Sequence, residues 1–371
     1  MKTNRRTFLK AAAAGLASSL VPGLGQADQN PILGSAHVRE ARFWERLDDG
    51  RVRCGTCPHG CVLADGERSH CRAKANFSGR LYTLSYGNPC TVHVDPVEKK
   101  PALHFLPGTR AFSLAVAGCN FRCLNCQNWE VSQTSPDRTR NLDLPPEAVV
   151  ASAKKYGCAS IAYTYSEPVS FYEYMRDTAE RAAGEGLKNI WVSNAYINPR
   201  AVEELCNHIH AASLNLKSFS DDTYRVLNGG RLAPVLDTLK IVHSRGVWLE
   251  IIHLVVPTYT DDLGQIRAMA RWIAENLDRE VPFHLLRFTP RYQLLHLPPT
   301  PEDFLVQART AAREEGLKHV YMGNVPGGTD VIVCPDCGRV VVSRRGYLLL
   351  ENRLVHGACP DCGAAVAGRW E

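Results

Sequence analysis

Cys119, Cys123 and Cys126 place three thiols as C-x3-C-x2-C within eight residues. Three thiolates on one short loop can hold three irons of a [4Fe–4S] cube and leave the fourth iron without a protein ligand. Zinc would ordinarily take four ligands, and no fourth Cys or His stands nearby in the sequence. An open iron can be chelated by the amino and carboxylate groups of S-adenosylmethionine. An electron from the cluster then cleaves the sulfonium C–S bond and yields a 5′-deoxyadenosyl radical. The incomplete set is where chemistry is expected.

The other eleven of the 14 cysteines flank it or stand alone. Cys334-Pro335-Asp336-Cys337-Gly338 and Cys359-Pro360-Asp361-Cys362-Gly363 are near-identical knuckles, with strand-like Val340–Val342 and Tyr347–Leu350 between them. They predict a zinc ribbon or a rubredoxin-like site, with zinc favoured, whose role is to staple a small module. An auxiliary iron–sulfur centre relaying electrons is the alternative. Cys54, Cys57, Cys61 and Cys71, interleaved with His59 and His70, fit zinc or a second [4Fe–4S] cluster. Cys90, Cys158 and Cys206 read as small buried hydrophobes.

These loops need strands to place them. Apolar, β-rich runs fall at Ala111–Ala117, Ala159–Tyr163, Asn189–Ser193, Ser213–Ser218, Val247–Val255 and Pro282–Phe288. Helical periodicity fills about 145–156, 168–184, 198–211, 231–245, 261–277 and 300–315. Gly157, Gly186, Gly246 and Gly316 each follow a periodic stretch, where helices end. The pattern predicts an α/β fold of six β/α units. Six are too few for a closed eight-stranded barrel, so a partial, TIM-like (β/α)6 barrel is expected, with its site at the C-terminal ends of the strands. The organisation reads as a signal over 1–27, a Cys-rich segment over 28–108, the barrel over 109–325 and a zinc-ribbon-like module over 326–371.

The 371 residues are 45% hydrophobic and 22% charged, a globular composition without a run of 18 apolar residues, so no stable membrane span is expected. Arg5-Arg6-Thr7-Phe8-Leu9-Lys10, the stretch Ala11–Gly25 and the small residues at Gly25-Gln26-Ala27 look like a twin-arginine export signal to the periplasm; a cytoplasmic protein with a basic N-terminal helix is the alternative. Cleavage after Ala27 would remove Lys2, Arg5, Arg6, Lys10 and no acid. The 43 basic residues would become 39 against 38 acidic, so the formal +5 would fall to +1. A near-neutral chain gives no support to a nucleic-acid partner.

Gly118 to Trp129 after a strand resembles the radical SAM superfamily. The likeness runs over roughly residues 40 to 371, through Ala162-Tyr163-Thr164-Tyr165-Ser166-Glu167-Pro168, Val192-Ser193-Asn194, Leu216-Lys217-Ser218-Phe219, Tyr321-Met322-Gly323-Asn324 and the cysteine pairs at both ends. Within that superfamily the chain resembles the radical SAM enzymes of the AmmeMemoRadiSam system, relatives of the pyruvate formate-lyase activating enzymes. The resemblance implies that Cys119, Cys123 and Cys126 hold a [4Fe–4S] cluster and that Phe121, Asn125, Glu167, Asn194 and Lys217 contact S-adenosylmethionine. Glu167 would meet its amino group, Asn194 its ribose and Lys217 its carboxylate. Asn125 stands where the family commonly has an aromatic residue, and Tyr165-Ser166 where it has two glycines.

His253, His284 and Arg287 are expected to reach the barrel mouth as substrate-binding candidates. The implied partners are a reductant protein and, from the activating-enzyme likeness, a protein substrate. A rival reading is a non-catalytic exported iron–sulfur and zinc protein for electron transfer or assembly.

Overall fold

The computed structural model describes residues 34–328 and 330–371; the expected export signal at 1–27 lies outside them. Six short strands open the described chain: β1 (Arg39–Glu40), β2 (Trp44–Arg46), β3 (Val52–Cys54), β4 (Val62–Leu63), β5 (Lys74–Phe77) and β6 (Arg80–Thr83). They form two small antiparallel sheets, β1-β6-β5 and β2-β3-β4. This segment is fastened to the rest by Lys74 and Glu173, an ion pair of 2.6 Å with both side chains at most 4% exposed.

The main sheet has eight strands. β7 (Thr91–Pro96) is antiparallel at one edge, followed in chain order by parallel β8 (Arg110–Ala115), β9 (Ser160–Tyr163), β10 (Lys188–Ser193), β11 (Ala211–Asn215), β12 (Trp248–Val255), β13 (Phe283–Arg287) and β14 (Val320–Gly323). Six helices make the crossovers: α1 (Pro146–Lys155), α2 (Tyr172–Gly184), α3 (Pro199–Cys206), α4 (Leu232–Ser244), α5 (Leu263–Asn276) and α6 (Glu302–Glu314). β7 and β14 are the two edges, so the barrel stays open. Residues such as Val149, Met175, Val202, Leu239, Ile273 and Leu305 bury the helices' apolar stripes on the outer face of the sheet. Gly157, Gly186, Gly246 and Gly316 all have positive φ, which stops each helix in the left-handed turn that glycine adopts without strain.

The six expected β/α units are present. Two strands of the main sheet were not among the expected runs: β14, and β7, which belongs to the sheet although it lies in the segment expected to be N-terminal to the barrel. On the inner face, Val97, Ala102, Phe105 and Leu106 pack against Ala111, Ala162, Ile190 and Ala211. This plug closes the end of the barrel where the strands begin and leaves space where they finish.

The C-terminal module is a meander of β15 (Val331–Val333), β16 (Val340–Arg345) and β17 (Leu348–Asn352) between the two cysteine knuckles. Arg344, fully buried, ties it to the plug through Glu98 at 3.3 Å and the carbonyl of Leu103 at 2.6 Å. No described helix is long and apolar enough to cross a membrane.

Candidate active site

Past β8 the chain turns at Gly118, whose φ is +117° and whose added Cβ would lie 2.6 Å from the carbonyl oxygen of Cys71. Only glycine satisfies both constraints. Gly118→Ala is expected to destabilise the protein by at least about 2 kcal/mol and to lower iron retention, measured by denaturation and iron content. An unchanged midpoint would refute the steric argument.

The loop that follows is held in place through its backbone: Arg122 N–H donates to the carbonyl of Asn228 at 2.8 Å and Leu124 N–H to that of Leu227 at 2.9 Å. Phe121 packs between Tyr196 and Tyr224, with ring centroids at 5.0 and 6.2 Å. The sulfurs attract donors. Phe121 N–H lies 3.3 Å from Cys119 Sγ and Asn228 Nδ2 lies 3.2 Å from Cys123 Sγ. Burial pushes the Cys119 and Cys126 thiols up from their ordinary value, with neighbouring negative charge adding to it.

All three cysteines line a cavity of about 670 Å³ at the C-terminal ends of the strands. Phe121, Asn125, Glu167, Asn194, Lys217 and His284 line it too. Glu167 is buried, and its carboxylate accepts from Ser193 Oγ at 2.7 Å, Asn194 N–H at 2.9 Å and Val169 N–H at 3.0 Å. Burial raises its pKa; these hydrogen bonds and the Lys217 charge oppose the rise. Asn194 uses its side chain to brace the wall, giving a hydrogen bond to Asn120 Oδ1 at 2.8 Å and accepting one from Tyr196 N–H at 2.9 Å. Asn125 Oδ1 is buried without a hydrogen-bond partner among the described residues. Such an orphan acceptor is expected to be satisfied by a ligand.

Tyr165 has φ +65°. Here a side-chain-bearing residue holds a left-handed backbone, which costs about 1 kcal/mol or more. Its hydroxyl is anchored on Asp95, which also pairs with Lys100 at 2.6 Å and Lys99 at 2.9 Å. Burial alone would raise the Asp95 carboxyl, but these hydrogen bonds outweigh it and hold the group low. Burial brings Lys100 down to about 8.

Two expected site residues are corrected. His253 and Arg287 do not line the cavity; Ile252 and Leu254 on β12, and His284 and Leu286 on β13, do. Side chains alternate along a strand, so their odd-numbered neighbours face the helix layer. His253 is buried with Nδ1 against the carbonyl of Leu216, and Arg287 donates to the carbonyl of Thr300 at 2.9 Å. Arg287→Ala is expected to leave S-adenosylmethionine cleavage unchanged in a turnover assay; a large loss would return Arg287 to the site.

His284 remains, its Nε2 2.7 Å from buried Glu250. Lys100, Asp330 and Tyr347 also line the cavity and were not anticipated. The adjacent Lys99-Lys100 before Pro101 was the one available signal. Nothing local marks Asp330 or Tyr347, which arrive from the C-terminal module.

Residues 114–272 match the radical SAM superfamily. The uncharacterized protein MJ0808 of Methanocaldococcus jannaschii is 42% identical over 308 residues, covering 83% of this chain and 92% of its own length. The pyruvate formate-lyase-activating enzyme of Clostridium pasteurianum is 24% identical over 201 residues, 52% of this chain and 82% of that enzyme. Among solved structures, a domain of a pyruvate-formate lyase-activating enzyme from Bacteroides vulgatus aligns with a TM-score of 0.40 and 17% identity, covering 44% of this chain and 99% of that one.

Proposed function

The chain belongs to the radical SAM superfamily, and from that membership we propose that Cys119, Cys123 and Cys126 hold a [4Fe–4S] cluster at which S-adenosylmethionine is cleaved so that hydrogen can be taken from a substrate in the cavity. The single observation that carries this reading is an incomplete set of three cysteines lining a cavity of about 670 Å³. The donor set fits the group: three sulfurs on one loop, two of them bonded by protein N–H groups, with an orphan acceptor, Asn125 Oδ1, nearby. When bound, the cluster supplies the electron that breaks the sulfonium C–S bond of S-adenosylmethionine.

The chain's own residues orient and shield. Glu167, whose carboxylate is fixed by three donors, offers a negative charge to the methionine amino group. Lys217 lines the cavity and offers its charge to the methionine carboxylate. Asn125 Oδ1 can accept from the adenine amino group, Phe121 provides the apolar floor, and Asn194 braces the ribose side of the wall. His284, Lys100 and Asp330 present charge or hydrogen bonds on the side left for the substrate.

Anaerobic reconstitution with iron and sulfide, followed by dithionite and S-adenosylmethionine, is expected to yield 5′-deoxyadenosine. Its absence would remove the enzymatic reading in favour of a carrier.

Finer readings rest on the same likeness. A protein substrate, delivered alongside a low-potential reductant protein, follows from similarity to activating enzymes, and the AmmeMemoRadiSam system is the subfamily that the motifs resemble. Export by the twin-arginine route is tested by a reporter fused after Ala27: retention in the cytoplasm would reject it.

Zinc at Cys334, Cys337, Cys359 and Cys362 is supported by ligand atoms that all lie within 4.8 Å of one another. The hairpin turn of that module, Gly346-Tyr347, forms part of the cavity wall. The double substitution Cys337→Ser, Cys362→Ser is therefore expected to lose one zinc and expose residues 331–371 to protease, while reductive cleavage of S-adenosylmethionine persists. Intact protease resistance would show that the module needs no metal.

A further inference from the structure

Cys54, Cys57, Cys61 and Cys71 play no part in the reading above, yet the fold gathers them. Cys54, ending β3, donates its N–H to the carbonyl of Cys61 at 2.9 Å, and His70 N–H donates to Cys61 Sγ at 3.4 Å, which brings the Cys71 turn alongside. Ser69 Oγ lies 3.1 Å from Cys71 Sγ and Thr56 Oγ1 lies 3.6 Å from Cys54 Sγ. Three of the four are buried and none is in a disulfide.

Spacing weighs against a single zinc ion. A zinc ion about 2.3 Å from four tetrahedral sulfurs draws them to about 3.8 Å apart. The C-terminal set meets this, with sulfur pairs at 3.5 and 3.7 Å, and is the one group among the described residues whose ligand atoms converge within 4.8 Å. Neither the N-terminal four nor Cys119, Cys123 and Cys126 close up in that way. A cube of irons and sulfides stands between its thiolates and keeps them wider.

The N-terminal set also abuts the open one. The carbonyl of Cys71 presses on Gly118, His59 Nε2 lies 2.6 Å from the carbonyl of Asn120, and the Arg122 guanidinium bonds the carbonyls of His70, Cys119 and Phe121. The His59 imidazole and the Arg122 guanidinium thus bridge the two cysteine segments.

We infer that Cys54, Cys57, Cys61 and Cys71 ligate a second, fully ligated [4Fe–4S] cluster, seated against the open-site loop as its electron donor. One electron enters there from a low-potential protein reductant and leaves for the open site; no bond forms and no proton moves. The donor role rests on the reading of Cys119, Cys123 and Cys126 given above, whereas the site itself does not.

Anaerobically reconstituted full-length protein is expected to carry about eight iron and eight acid-labile sulfide per chain, besides one zinc. The variant Cys119→Ala, Cys123→Ala, Cys126→Ala should keep about four iron and a reduced-state paramagnetic signal indifferent to S-adenosylmethionine. The variant Cys54→Ala, Cys57→Ala, Cys71→Ala should keep about four iron and a signal that S-adenosylmethionine perturbs. Fully reduced wild-type protein should show magnetic coupling absent from both. Wild-type protein with about four iron and two zinc overturns the site even if a variant fails to fold. Eight iron with strictly additive spectra overturns the donor role. Neither outcome depends on 5′-deoxyadenosine, so the inference and the parent reading fail separately.

Discussion

Cys126→Ala is expected to bring 5′-deoxyadenosine formation down to the reagent background while leaving the unfolding midpoint within about 1 kcal/mol of wild type. A cube held by three thiolates loses a third of its protein ligands, and no other cysteine lines the cavity to replace the missing one. Among the three, Cys126 is the least buried, so its removal strands the least. Cys123→Ala, by contrast, would also leave Asn228 Nδ2 without the acceptor it has at 3.2 Å, and should lose stability as well as turnover. The measurement pairs single-turnover cleavage of S-adenosylmethionine with iron content after reconstitution. Residual cleavage at near wild-type rate in Cys126→Ala would mean that the open site is elsewhere.

Glu250→Leu is expected to destabilise the fold by about 3–5 kcal/mol, the largest single loss foreseen outside the cysteine sites. Its carboxylate, 1% exposed, collects Leu103 N–H at 3.0 Å, His104 N–H at 2.9 Å, Trp248 Nε1 at 3.0 Å and His284 Nε2 at 2.7 Å. Leucine would leave four donors facing an apolar group. The plug, β12 and β13 meet at this residue, so the loss is not confined to one side chain.

Acid should expose the same interaction. Burial alone would raise the Glu250 carboxyl, but the hydrogen bond and charge of His284, with further help from His104, bring it down to about 2. A folded-state pKa below the unfolded value favours the fold above about pH 4.5, and that contribution disappears as pH falls towards 2. His104, held down to about 3 chiefly by burial, acts in the same direction: below about pH 6.5 the unfolded chain takes up a proton that the folded one refuses. Wild-type stability should fall steadily on acidification. In Glu250→Leu the limb between about 4.5 and 2 should flatten. Denaturation curves of the intact protein over that range test both, and a variant midpoint within about 1 kcal/mol of wild type would reject the hub.

The sequence is a good guide wherever the cause is local. C-x3-C-x2-C is a property of eight consecutive residues, and its position after an apolar run already places it on a loop leaving a strand. The helices ended at Gly157, Gly186, Gly246 and Gly316 because a left-handed terminal residue is a local backbone requirement. The six β/α units followed from alternating apolar periods. β14 was not among them.

What stayed hidden depends on which face of a strand turns inward. Parallel strands buried on both sides are apolar at odd and even positions alike, so His253 and His284 look equivalent in sequence. Only the packed sheet puts His284 on the cavity with Glu250 and His253 on the helix side. Tyr165 taking a glycine's backbone conformation is likewise legible only with Asp95 in place, 70 residues away.

The sequence alone thus determined the open cysteine triad, the barrel's repeating unit and the four-cysteine C-terminal site, since each is written in short-range spacing. Tertiary structure decided what surrounds the triad: the plug that closes one end, the Gly346-Tyr347 turn that walls the cavity, and the N-terminal cysteines laid against Gly118. Those contacts join residues tens to hundreds of positions apart, and their partners are chosen by burial and by hydrogen-bond satisfaction across the whole fold, which no local window contains.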